Sequence, residues 1–436
     1  MSGQPRSATG EGETGQSRDS ALASFAATRR RSLELAAPLT PEDQGVQSMP
    51  DASPTKWHLA HASWFFETFI LAPHLKGYAP FDGAYGYLFN SYYEAVGPRH
   101  ARPERGLLSR PSLKEIHAYR RHVEDAIKRL VADADAETWA KSAPLLVLGV
   151  NHEQQHQELI ITDILNAFAA NPLRPAYQPF RPHGVGKASA LEWIGFPEGL
   201  VEIGAPNPKG GGDGFAFDNE GPRHKAWLEA FRIASRPVTN GEYLEFIADG
   251  GYQRPELWLA DGWTACRTRG WLAPLYWENV DGAWRMMTLA GMRAVDAAEP
   301  VCHVSYFEAD AFARWAGKRL PTEAEWEIVA AGVAVAGNFA DRGHFHPIPC
   351  HAGGSGAKQM FGDVWEWTAS AYGPYPRFRP AAGAVGEYNG KFMSGQMVLR
   401  GGSASTPAGH VRASYRNFFY PPDRWQFSGI RLARDA

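Results

Sequence analysis

Apolar residues recur with a helical period through the first part of the chain. Ala21–Ala37 mixes apolar and basic residues at helical spacing. A second run opens at Ser53-Pro54, a capping residue followed by a proline suited to a first helical turn, and carries Trp57, Leu59, His61, Trp64, Phe65 and Phe69 before Pro73. Ser112–Ala132 predicts a third helix with a clear apolar stripe, and Ala143–Ala170 a fourth, the most apolar. Four amphipathic segments joined by loops predict a four-helix bundle over residues 21–171. The connection Gly77–Pro111 is long and aromatic, and a loop of that length inside a compact domain is more often functional than idle.

The pattern changes after the bundle. Residues 172–188 read as a linker, with four prolines and two glycines within Pro172–Gly186. Residues 189–436 show short apolar runs, frequent Gly and Pro, and twelve of the fifteen tryptophans. Only Ser305–Gly317 and Thr322–Ala331 look helical there, so the reading is a loop-rich α+β domain and a two-domain α+β chain overall. Residues 1–20 hold only Met1 and Ala8 as apolar positions and predict a disordered tail with no secretory h-region.

Composition narrows the function. With 44 Lys+Arg against 47 Asp+Glu the net charge is −3, which argues against a nucleic-acid binder working through bulk positive charge. No apolar run approaches the roughly 18 residues of a membrane span, so no membrane association is expected. Cys266, Cys302 and Cys350 are too few and too scattered for a disulfide scaffold or a cysteine-ligated zinc site, which fits a reducing cytoplasm.

The strongest chemical signal is NHEQQHQELIITD at 151–163. His152 and His156 are four apart, so on a helix both imidazoles leave one face about one turn apart, as a single metal ion requires. Glu153 makes the segment a literal HExxH, the zinc-protease pattern, but this helix closes an all-α bundle rather than lying beside a sheet. Bundles bind metals between facing helices. A third ligand then comes from the Ser53-capped helix, where His61 sits on the aromatic inward stripe between Trp57 and Phe65 while His58 is rotated off it. Three imidazoles without a carboxylate leave open positions on a metal of octahedral habit such as Fe(II); zinc closed by water is the chemical alternative.

WHLAHASWFFETF together with HEQQHQE resembles the DinB-like bundle of the ergothioneine-biosynthesis sulfoxide synthases. VCHVSYFEADAFARWAGKRLPTEAEWE at 301–327, FGDVWEWTAS at 361–370 and LRGGSASTPAGHVRASYRNFFYPPDRWQFSGIRLARD at 399–435 resemble the formylglycine-generating-enzyme domain, a loop-rich variant of the C-type lectin fold. The resemblance implies a non-heme iron enzyme, one Fe(II) per chain, that uses O2 to join a cysteine sulfur to C2 of the imidazole of hercynine (Nα-trimethylhistidine). It further implies His61, His152 and His156 as iron ligands, Gln155 facing hercynine, and Tyr388, Asn417 and Phe418 lining its trimethylammonium and carboxylate. A quaternary ammonium has no N–H to donate, so aromatic faces and amide oxygens are what can hold it.

Two positions depart from relatives that use γ-glutamylcysteine. Phe419 stands where those carry an acid after the Asn-aromatic pair, and Val385 where they carry a tyrosine three residues before Tyr388. Tyr92 and Tyr93, in NSYYEAVGPRH, offer a replacement hydroxyl at the iron, and free cysteine is the expected donor, with γ-glutamylcysteine as the alternative. Arg102 and Arg105 are placed to grip the donor's carboxylate through forked hydrogen bonds. Three competing readings stand beside this one: an ovothiol-type synthase joining cysteine to histidine itself, a zinc hydrolase or formylglycine-type oxidase, and a non-catalytic lectin-fold module with a metal-stabilised bundle. The oxidase works through a cysteine pair near its C-terminal motif, and residues 399–436 contain no cysteine.

Overall fold

A computed structural model describes residues 17–183, 188–206, 214–350, 356–381, 383 and 386–436. The bundle consists of α1 (Arg18–Ala36), α2 (Thr55–Phe66), α3 (Leu113–Asp133) and α4 (Ala136–Ala170). Each boundary has a local cause. The Ser17 hydroxyl accepts from the Ser20 N–H, so α1 begins at Arg18 and the last residues assigned to a tail are already helical; residues 1–16 lie outside the described part. Ser112 and Glu115 cap α3 reciprocally, and Asp135 caps α4 by accepting from the Thr138 N–H. α4 therefore starts seven residues before the expected Ala143 and runs through Pro144. Trp139, packed on the core under the Arg18 guanidinium, anchors the turn that the proline alone would end.

α2 is buried on every side: of its twelve residues only Lys56 is not buried. Helices of that kind lie at the centre of an assembly. It continues into a wide turn, Glu67–Leu71, whose Glu67 carboxylate accepts from the Tyr78 and Tyr119 hydroxyls at 2.5 and 2.7 Å. α4 approaches α2 at Gly149, where an added Cβ would lie 2.4 Å from the Phe66 ring.

The second half carries twelve short strands among the described residues. A three-stranded sheet has the order β1 (Trp193–Phe196), β4 (Phe231–Ala234), β12 (Ala433–Asp435), closing the start of the domain on its end. A four-stranded sheet has the order β10 (Asn417–Phe419), β9 (Met397–Arg400), β8 (Trp365–Ala371), β11 (Ser428–Gly429), with β11 parallel to β8. The hairpin β2–β3 (Gly199–Ile203, His224–Leu228) and the meander β5–β6–β7 (Trp277–Val280, Ala283–Thr288, Gly291–Ala294) complete it. Besides the two expected helices (Tyr306–Trp315 and Glu323–Ala331), Asn240–Ala248 and Ala260–Thr268 are helical. The first of these has a capping box, Thr239 with Glu242, within a sequence too short to show a period. The second has no side-chain cap and is held by packing, its Gly262 lying against Phe307.

The halves share a face. Bundle residues and Met287, Leu289, Phe345, Val364 and Phe427 form one continuous apolar cluster. The expected linker is fastened to both sides: the buried Tyr177 donates its hydroxyl to the Leu35 carbonyl, and its N–H to that of Leu289. Among the described residues no helix is long and apolar enough to cross a membrane.

The tight α2–α4 contact predicts that Gly149→Ala lowers stability by roughly 1–2 kcal/mol, overpacking against Phe66 outweighing the gain in helix propensity. Thermal unfolding followed by circular dichroism checks this; an unchanged or raised melting temperature would mean the Phe66 ring has room to move.

Candidate metal centre and its cavity

A cavity of about 310 Å³ lies between the bundle and the second half. At its base His61 of α2 meets His152 and His156 of α4, with one nitrogen from each within 4.8 Å of the others. The His61 and His152 Nε2 atoms are 3.2 Å apart. Burial, together with the neighbouring imidazoles and Arg105, holds the His61 and His156 pKa values well below the ordinary histidine value; burial pushes His152 down to about 3. Three neutral imidazoles therefore point lone pairs into one small volume.

Surrounding groups decide which nitrogen faces the centre. The His61 Nδ1–H donates to the Phe89 carbonyl at 2.6 Å, which leaves Nε2 as the ligand atom. His58, expected off the inward stripe, is buried and engaged with His156: its Nε2–H donates to Asp163 Oδ2 at 3.0 Å, and its Nδ1 accepts from His156 Nδ1–H at 2.9 Å. His156 Nε2 is then the nitrogen left to bind a cation. Asp163 is itself fixed by the Ser53 N–H at 2.8 Å. The rings are fixed by stacking, Trp57 and Trp64 lying 4.7 and 5.3 Å from His61 and Phe65 lying 4.4 Å from His152. This donor set suits a divalent transition metal, which neutral imidazoles bind in preference to a proton; the outer nitrogens of His61 and His156 are occupied, while His152 Nδ1 is buried without a partner among the described residues.

Glu153 occupies the opposite face of α4. Its carboxylate is buried and takes Arg29 at 3.1 Å, Arg120 at 3.2 Å and the Ser32 hydroxyl at 2.7 Å. The two guanidinia hold its pKa below the usual carboxylate value despite burial. In a zinc protease that residue would activate the metal-bound water; here it anchors the bundle.

The remaining residues singled out in the sequence collect in the same cavity: Tyr92, Tyr93, Arg102, Arg105, Gln155, Asn417, Phe418 and Phe419 all line it. The side chain of Tyr388 and the whole of Val385 lie outside the described residues. Tyr93 is buried, its ring packed on Trp64 and Phe69; Tyr92 is half-buried, its hydroxyl accepting from Arg102 at 2.5 Å. Arg105, instead of sitting in a solvated turn, is 3% exposed, its guanidinium 3.4 Å over Trp57 and bonded to the Ser53 and Ser91 hydroxyls. Gln155 donates from Nε2 to the Tyr415 hydroxyl at 2.9 Å. Tyr415 in turn donates to His410 Nε2, and His410 Nδ1–H to Gln154 Oε1. Asn417 accepts the Phe418 N–H, and Phe418 stacks on Tyr372 at 4.0 Å.

Sequence reasoning missed His58, Asp163 and Tyr415. The first two had a signal in spacing, His58 one turn before His61 and Asp163 two turns after His156 on the same helix face. Tyr415 comes from the second half and had none.

The DinB superfamily matches residues 24–160, and the sulfatase-modifying factor enzyme 1-like domain family matches residues 184–353 and 344–436. The hercynine oxygenase of Mycolicibacterium thermoresistibile is 36% identical over 89% of this chain and 88% of its own length. Those of Mycolicibacterium smegmatis and Mycobacterium tuberculosis are 34% and 33% identical, over 89% and 88% of this chain and 93% and 92% of theirs. The architecture is thus a DinB-like bundle joined to a formylglycine-generating-enzyme-like domain.

Two outcomes test the centre. Asp163→Asn and His58→Ala should each weaken metal affinity by about 10–100-fold, measured by competition against a chelating dye; unchanged affinity would remove the relay from the site. Glu153→Gln should cost roughly 3 kcal/mol of stability by uncompensating two buried arginines while metal content stays at one per chain. Metal loss with stability intact would return Glu153 to the centre.

Proposed function

The chain belongs to the hercynine oxygenase family, and on that footing we propose that it is a non-heme Fe(II) sulfoxide synthase of ergothioneine biosynthesis. It joins the sulfur of cysteine, or of γ-glutamylcysteine, to C2 of the hercynine imidazole. One O2 accepts four electrons: two from the C–H and S–H that become the C–S bond and two from the sulfur that becomes the sulfoxide, its second atom leaving as water. The observation that carries the reading is the convergence of three neutral imidazoles on a cavity walled by both halves of the chain. A ferrous ion held by His61, His152 and His156 would supply O2 activation and keep a thiol deprotonated at neutral pH.

The chain's own groups then bind and orient. Gln155 has its amide N–H committed to Tyr415, so its carbonyl oxygen is the end left to accept an imidazole N–H of hercynine. Asn417 has its oxygen committed to its own chain, so its NH2 is left to donate to the hercynine carboxylate. The Phe418 ring, held flat by Tyr372, offers a face to the trimethylammonium, with Tyr388 expected beside it. Arg105 has hydroxyl partners but no ion pair among the described residues, so the donor's carboxylate completes its coordination, with Arg102 at its side and Phe419 forming apolar wall.

Tyr92 and Tyr93 line the cavity that holds the three histidines. Tyr92 accepts from Arg102, and Tyr93 packs directly beside the rings that stack on the ligand histidines. One of them supplies the proton that steers oxidation to the carbon–sulfur product, in place of oxidation of cysteine alone to its sulfinic acid.

Tyr92→Phe and Tyr93→Phe, singly and together, are expected to lower the ratio of sulfoxide to sulfinic acid by about two orders of magnitude in the variant that removes the acting hydroxyl. Product analysis by mass spectrometry under air, with hercynine and cysteine, measures this. A ratio unchanged in all three variants refutes the role, and absence of any sulfoxide from the unmodified protein refutes the reaction.

A further inference from the structure

Two adjacent glutamines of α4, Gln154 and Gln155, end on one short segment of the second half, His410–Tyr415. Gln155 Nε2 donates to the Tyr415 hydroxyl at 2.9 Å, and Gln154 Oε1 accepts from His410 Nδ1 at 3.0 Å. The Tyr415 hydroxyl and His410 Nε2, 3.1 Å apart, join the two into one chain of hydrogen bonds across the seam. Both His410 and Tyr415 are buried. A glutamine amide that nothing holds presents either its oxygen or its NH2 by a half-turn about its last bond, with almost no change of shape. This chain removes that freedom from Gln155.

Each link has a direction. Burial, then the Arg412 guanidinium, pushes the His410 pKa down to about 3, so the ring is neutral and carries one proton. Gln154 offers an acceptor at Nδ1, which places the proton there and leaves Nε2 a bare lone pair. Burial raises the Tyr415 pKa, so the phenol keeps its proton and donates it to that lone pair. Its oxygen is then free to accept from the Gln155 amide. The Tyr415 ring is held on every side: Arg412, itself fixed by Glu220 at 2.8 Å, lies 5.3 Å over it, and Phe217 and Trp365 pack against it at 5.8 and 5.6 Å.

Resting on the synthase reading above, we propose that Tyr415 and His410 are positioning residues for the imidazole substrate, locking the Gln155 amide with its oxygen toward the cavity so that the site selects a neutral azole with an N–H opposite its metal-facing nitrogen. In this role both act through Gln155. An N–H anchored on that oxygen also fixes the rotation of the azole about its metal-facing nitrogen, and with it the carbon that is presented to the thiol. The second half of the chain thus sets the hydrogen-bonding sense of a bundle residue that stands directly beside His156.

The test is a double-mutant cycle read by calorimetric titration of the iron-loaded protein with hercynine under nitrogen. Tyr415→Phe should weaken hercynine binding about five- to tenfold in the otherwise unmodified protein, but less than about twofold when Gln155→Ala is already present. His410→Leu, which leaves the phenol without its acceptor, should match Tyr415→Phe, and His410→Gln, whose amide oxygen can take the place of Nε2, should restore binding to within about twofold. A residue that only supports the fold would weaken binding equally in both backgrounds. Unchanged binding in Tyr415→Phe, equal weakening with and without Gln155, failure of His410→Gln to restore what His410→Leu loses, or no hercynine binding by the unmodified protein overturns the proposal. Tyr415→Phe with Gln155→Ala carries the test if the His410 variants do not fold. Sulfoxide formation by the unmodified protein under air is scored separately, so a failed reaction and a failed positioning role are told apart.

Discussion

Three imidazoles cannot share a volume 4.8 Å across unless all are deprotonated and something cationic can sit among them. Most of the bundle's unusual features follow from that condition. Burial removes the protons. The Phe89 carbonyl and the Asp163–His58 pair then occupy the outer nitrogens of His61 and His156, which turns the inner lone pairs toward one another. Planar neighbours keep the rings from swinging away: Arg105, Trp57, His61 and Trp64 form a continuous stack through the heart of α2. The length of α4 and the complete burial of α2 are what make such a set rigid.

A second condition is that the cavity be closed by a different part of the chain. Glu158 shows how strongly the halves are joined. It leaves α4 two residues past His156 and accepts hydrogen bonds from Trp365 Nε1 at 2.7 Å, Ser403 and Thr406 hydroxyls at 2.9 and 2.8 Å, and Ser405 at 3.3 Å. Burial raises its pKa, and these four donors oppose the rise. Gln155 and Gln154 reach across the same border to Tyr415 and His410. Helix α4 therefore carries the candidate metal-binding histidines on one arc of its surface, the interdomain contacts on the next, and the Arg29–Glu153–Arg120 cluster on the far side.

The bundle was legible because helical periodicity, caps and the four-residue spacing of His152 and His156 are all local signals. His61 was legible because it sits on an apolar stripe, where a polar ring needs a reason. His58 was misplaced for the same logic: off the stripe it should have faced outward, but α2 is buried all round and has no outward face. The second half was harder. Strands of two to seven residues give periodicity little room, and two of its helices were hidden, one by brevity and one by the lack of a side-chain cap. Arg105 shows the limit on the site itself. Its motif reads equally as a solvated turn, and only the fold of the long connection, which lays it on Trp57, decides otherwise.

The border between the two parts of the chain lies in the linker, yet the border in space runs along the surface of α4. Glu158, Gln155 and Gln154 are bundle residues by connectivity whose polar atoms are satisfied by the other half. Recombination that carried the first 170 residues to a new neighbour would transmit the ligands without the walls, and would strand a buried carboxylate with no donors. The two halves can diverge only as a pair, so substitutions along this seam are expected to come in matched sets on both sides of it.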